Sequence, residues 1–88
     1  MQKKIKAVII GAKWFDKVNG NTYNNAKIIL IGKDETETVY KGFGYGYGSQ
    51  YYYDAKKFVE AKYPHCDFEF IDGGSFYVSK KEAREGQF

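Results

Sequence analysis

Ile5-Lys6-Ala7-Val8-Ile9-Ile10-Gly11-Ala12-Lys13-Trp14-Phe15, then Asn19-Gly20-Asn21, then Tyr23 through Gly32, is the stretch that sets the fold. Both arms are rich in β-branched and aromatic residues, and the Asn-Gly between them is a hairpin signal. A two-residue loop, Asn19-Gly20, would place Lys27 opposite Ala12 in the middle of an apolar face. A three-residue loop, Asn19 to Asn21, pairs Val18 with Thr22 instead. It sets Val8, Ile10, Ala12 and Trp14 on one face with Ala26, Ile28 and Leu30, which makes that face the expected core. Ile9, Lys13, Phe15, Asn25, Lys27 and Ile29 then fall on the other.

Working outward, Lys33-Asp34-Glu35 reads as a charged turn, and Thr36 to Phe43 as a third strand. Ser49 is a suitable N-cap, and Pro64 ends the helix that follows at Tyr63 or just before. Tyr51, Ala55, Phe58, Val59 and Lys62 share one helical stripe, so this helix is amphipathic and lies on a sheet. Cys66 to Ile71 alternates Phe68 and Phe70 against acids, Asp72-Gly73-Gly74 reads as a turn, and Ser75 to Val78 as a last strand. Ser79-Lys80-Lys81-Glu82 has capping-box spacing, and residues 79–88 are expected as a helical turn or a frayed tail. The expectation is one α+β domain over residues 1–88, with an antiparallel sheet in the order β-β-β-α-β-β packed on one helix.

Composition limits the function classes. Eighty-eight residues bury only about 60% of the unfolded chain's surface, so a homo-oligomer would be a natural supplement. Nine Tyr, seven Phe and one Trp exceed what so small a core needs, and surplus aromatics mark recognition surfaces. A formal charge of +3 permits an anionic partner but is low for a dedicated duplex-DNA binder. Cys66 is the single cysteine, which excludes an internal disulfide and points to the cytoplasm. No segment reaches the roughly 20 apolar residues of a membrane span.

Gly42-Phe43-Gly44-Tyr45-Gly46-Tyr47-Gly48 runs into Ser49-Gln50-Tyr51-Tyr52-Tyr53 and carries the functional reading. In extended chain Phe43, Tyr45 and Tyr47 share one face, an aromatic platform for a base, while Gly44 and Gly46 leave the backbone bare. Gly46, Gly48, Ser49 and Gln50 open a helix whose N–H groups suit an anion. Lys13 and Lys27, with Lys17 and Lys41, are candidates for phosphate contacts, Tyr52 and Tyr53 are further stacking candidates, and Phe15 is a further ligand-binding candidate. No phosphate-loop motif is matched, and the same glycines serve equally well for close helix packing or a bulge. His65-Cys66-Asp67 lacks the ligands for a closed metal site. No carboxylate pair or base near Ser49 supports catalysis, so the expectation is a binding protein without cofactor or metal.

Lys13-Trp14-Phe15-Asp16-Lys17-Val18-Asn19-Gly20-Asn21-Thr22-Tyr23 and Tyr45-Gly46-Tyr47-Gly48-Ser49-Gln50-Tyr51 resemble a group of small uncharacterised bacteriophage and prophage proteins. These share a Lys-Trp-Phe-Asp-x-x-Asn-Gly-Asn-Thr-Tyr hairpin and a Tyr-Gly-Tyr-Gly-(Asp/Ser)-Gln-Tyr element. The resemblance implies a phage accessory protein in a bacterial cytoplasm and brings no activity with it. Two functions follow as expectations. One is binding of a nucleotide or single-stranded nucleic acid, with no membrane involved; the other is inhibition or adaptation of a host protein, for example a defence protein, through exposed aromatics.

Overall fold

The computed structural model describes residues 4–32, 34–46 and 48–88. Strands β1 (Lys4–Asp16), β2 (Asn21–Ile31), β3 (Thr36–Tyr40) and β4 (Gly44–Tyr45) precede helix α1 (Gln50–Lys62). Strand β5 (Asp67–Tyr77) and a short helix α2 (Lys80–Glu85) follow. The protein is a small α+β domain, its sheet ordered β3-β2-β1-β5 with β4 also bonded to β2. α1 lays Tyr51, Ala55 and Val59 on one face of the sheet, against Ala7, Ile9, Ala26, Ile28 and Leu30.

The hairpin forms in a different register from the expected one. Asp16 pairs with Asn21, leaving a four-residue loop, Lys17 to Gly20. Asp16 drives this: its carboxylate accepts from the Val18 and Asn19 N–H groups and the Asn19 amide, while its carbonyl accepts from Gly20 N–H at 2.8 Å. Gly20 closes the turn at φ 69°, the left-handed conformation glycine tolerates best. The shift moves Ala7, Ile9 and Gly11, not Val8, Ile10 and Trp14, onto the core face opposite Leu30, Ile28 and Ala26. Val18, expected to pair, is 92% exposed. Because Ala7 to Ile10 is apolar at every position, hydrophobic pattern alone could not choose the face.

Three further expectations change. The last two strands are one, β5, and it runs parallel to β1, so the sheet is mixed rather than antiparallel. Asp72-Gly73-Gly74 is a bulge within that strand: Ile9 pairs with Asp72 and Gly11 with Ser75, which absorbs one extra residue. The expected strand 36–43 is interrupted after Tyr40. Buried Asn25 takes over there, its Oδ1 accepting from Gly42 N–H at 3.0 Å while its amide donates to the Ala83 carbonyl at 2.7 Å.

The tail is ordered into α2, capped by Ser79 and Glu82 in a reciprocal box and closed by Gly86 at φ 69°. It lies on the sheet face opposite α1, with Ala83 buried. The side-chain amide of Asn19 holds the Asp16 carboxyl below its usual range, and the Ser79 backbone N–H does the same for Glu82. A folded pKa below the unfolded one gives stability that is present above pH of about 4 to 5 and lost as pH falls through the lowered value. Urea midpoints are therefore expected to drop from pH 6 to pH 3, and Asp16→Asn with Glu82→Gln to flatten that drop.

Candidate functional site

The register of the hairpin builds a row of rings at one end of the α2-side face. Trp14 on β1 is the Cα partner of Tyr23 on β2, and Tyr23 is the partner of Tyr45 on β4. Trp14 and Tyr23 stack at 5.6 Å and 30°, Tyr23 and Phe43 at 5.2 Å and 10°, and Tyr45 meets Tyr23 edge-on at 5.7 Å. The Lys80 ammonium lies 5.2 Å from the Trp14 ring centroid, a cation–π contact at the start of α2. Tyr45 is 60% exposed, and Trp14, Tyr23 and Phe43 are half-buried. Open, partly wet rings with a cation beside them can receive a flat π-system by stacking or edge contact.

The candidate residues from the sequence divide between two faces. Phe43 and Tyr45 share a face as expected; Tyr47 lies outside the described residues. Lys13 is on the α1 face, its ammonium 5.6 Å from the Tyr51 ring. Exposed Phe15 alternates with Trp14 and so points away from the row. Lys27 is on the row's face but farther along, its ammonium 5.9 Å from the Phe88 ring. Lys41 donates to the Gly42 carbonyl at 3.0 Å, and burial pulls its pKa down against the opposing charge of Asp54.

Gly46, ahead of the helix start, is engaged in packing. The Gly46 carbonyl accepts from the Asn24 amide at 3.0 Å, and a Cβ on Gly46 would sit 2.7 Å from Gln50 Cγ and 2.9 Å from Asn24 Nδ2. Gly46 thus serves the close-packing role that its sequence context left open. Exposed Gly48 has φ 64°, and Ser49 makes no side-chain cap bond. Gln50 donates to Asp54 at 2.8 Å, and half-buried Tyr52 sits edge-on to Tyr53 with the Lys56 ammonium 5.7 Å away. Asn24 and Tyr23 are consecutive on β2, so the helix start and the aromatic row fall on opposite sides of the sheet. The single site expected from Phe43 to Gln50 is therefore two.

Trp14, Tyr23 and Lys80 were not among the residues the sequence singled out. For the two rings the signal was the pairing across the hairpin, legible only once Asp16 is seen to set the turn. Among the described residues no three His, Cys, Asp or Glu side chains gather as a metal site. No helix among them is long and apolar enough to cross a membrane.

Fold and rings together define a small α+β domain with an aromatic surface on one sheet face. The chain matches no family model, no curated protein and no solved structure.

Proposed function

We propose that this chain is a non-enzymatic binding module that holds single-stranded nucleic acid, or a nucleotide, on the Trp14, Tyr23, Phe43 and Tyr45 surface. The observation that carries the reading is the continuous contact of Tyr23 with three other rings beside a lysine. A row of that length offers stacking to more than one base, which favours a strand over a single nucleotide. The Lys80 ammonium, 5.2 Å from the Trp14 ring centroid, brings positive charge to that end of the row. In keeping with the resemblance to small phage proteins, we read it as an accessory protein working in a bacterial cytoplasm.

The exposed Tyr45 edge favours a second reading, an anchor for a host protein. Salt separates the two. With about three phosphate contacts, raising salt from about 50 to 200 mM weakens single-strand binding roughly 20-fold. Fluorescence anisotropy of a labelled oligothymidine across that range is the test. No binding to oligonucleotides at low salt removes the nucleic-acid reading and leaves the protein partner.

A further inference from the structure

We propose that Asn25 is the positioning residue of the aromatic surface: its side chain fixes α2, and with it Lys80 over Trp14, to the same point of the sheet that fixes Gly42 and Phe43 beside Tyr23. The inference rests on the reading of that row as the binding surface.

Asn25 is 2% exposed, and burying an amide is costly unless its hydrogen bonds are made. Its Oδ1 accepts from the Ala26 N–H at 2.7 Å and the Gly42 N–H at 3.0 Å, while its Nδ2 donates to the Ala83 carbonyl at 2.7 Å. Two N–H donors on one side and a carbonyl on the other leave a single orientation of the amide. Both distant partners are groups that their own elements leave over. The ladder of β2 with β3 ends at Lys27 and Tyr40, and past the Lys41 N–H bond to the Ala26 carbonyl the Gly42 N–H turns to Asn25. At the end of α2 the Gly86 and Gln87 N–H groups both go to the Glu82 carbonyl. The Ala83 carbonyl is one of the last four of its helix, which have no partner within it.

The place of Asn25 makes these bonds matter to the row. It follows Tyr23 by two residues on β2, so both side chains point to the same face, and its Cα partner Ala12 precedes Trp14 by two on β1. One residue beyond Gly42, Phe43 stacks on Tyr23. One helical turn before Ala83, the Lys80 ammonium stands 5.2 Å from the Trp14 ring centroid. Among the described residues the bond to Ala83 is the one side-chain hydrogen bond that joins the sheet to α2. Six residues do not hold a helix in place by themselves. The buried Ala83 methyl attracts α2 to the sheet without direction, and the hydrogen bond sets its rotation, hence where Lys80 falls.

Asn25→Asp keeps Oδ1 for the Ala26 and Gly42 N–H groups but sets a carboxylate oxygen against the Ala83 carbonyl, so it releases α2 and spares Phe43. The test is what Lys80→Ala costs with and without this tether, in the full chain at about pH 8. With the tether intact, losing one phosphate contact at about 0.1 M salt lowers affinity for a labelled oligothymidine roughly 5-fold. In the Asn25→Asp background the same change should cost less than about 1.5-fold, a coupling that a merely structural role does not produce. Trp14 emission of the free protein gives the comparison without ligand: Lys80→Ala should shift it when Asn25 is present and leave it unchanged beside Asn25→Asp. Equal effects of Lys80→Ala in both backgrounds, by either readout, overturn the proposal. If no variant binds oligothymidine, the ligand reading fails, and the emission comparison alone decides whether Asn25 places Lys80. Should Asn25→Asp not fold, hydrogen exchange on the wild type decides. Saturating oligothymidine should slow exchange of the Asn25 side-chain amide and the Gly42 N–H together, by about 3-fold or more, and unchanged rates overturn the proposal.

Discussion

Gly11→Ala is expected to lower the melting midpoint by about 10 °C or more, an unusual loss for the addition of one methyl group. The Tyr51 ring lies directly on the Gly11 backbone: a Cβ there would meet its Cδ2, Cγ and Cε2 atoms at 2.5, 2.7 and 2.8 Å. The ring cannot simply turn aside. Tyr51 is buried, its hydroxyl donates to Asp72 at 3.0 Å, and it opens the helix that covers the core. The methyl must therefore lift the first turn of α1 from the sheet. Overpacking of this kind costs about 1–3 kcal/mol and the lost hydrogen bond about 1 kcal/mol more. A domain this small has little stability in reserve. Tyr51→Phe, which keeps the ring and removes only the hydroxyl, should cost about 1 kcal/mol. Thermal unfolding followed by circular dichroism checks both. A Gly11→Ala protein that melts with the wild type would mean that Tyr51 does not sit on β1.

The second large effect is on binding. Tyr23→Ala removes the ring that touches Trp14, Phe43 and Tyr45, so the row loses its centre rather than one end. Aromatic stacking contributes about 1–3 kcal/mol per base, and affinity for an oligothymidine should fall roughly 10- to 100-fold. Lys13→Ala is the control. Lys13 belongs with Tyr51 on the opposite face, and its removal should change affinity less than about 2-fold beyond the general effect of one charge. If Lys13→Ala abolishes binding and Tyr23→Ala does not, the ligand sits by the helix start and the aromatic row is not the site.

Local signals carried much of this architecture. The two hairpin arms, the amphipathic stripe of Tyr51, Ala55 and Val59, and the stop at Pro64 were all legible because neighbouring residues decide them. So was the shared face of Phe43 and Tyr45. The register was not, because it depends on the Asp16 side chain binding the turn ahead of it, and an apolar run from Ala7 to Ile10 fits either face. The parallel placement of β5 is a long-range choice that no local pattern encodes. Gly73-Gly74 looks the same in sequence whether it turns the chain or bulges it. The break after Tyr40 comes from Asn25, a residue far away in the chain that substitutes its side chain for a strand partner. Trp14, expected in the core, and Tyr23 were missed as site residues for the same reason as the register, since their meeting is a consequence of it.

Trp14 is the only tryptophan, and it sits at one end of the row, so its emission during titration with an unlabelled oligothymidine reports whether a strand lies on these rings. Saturable quenching is expected that tracks the anisotropy of a labelled strand and disappears in Tyr23→Ala. Binding seen by anisotropy with no change in Trp14 emission would contradict it, because the strand would then lie elsewhere on the protein.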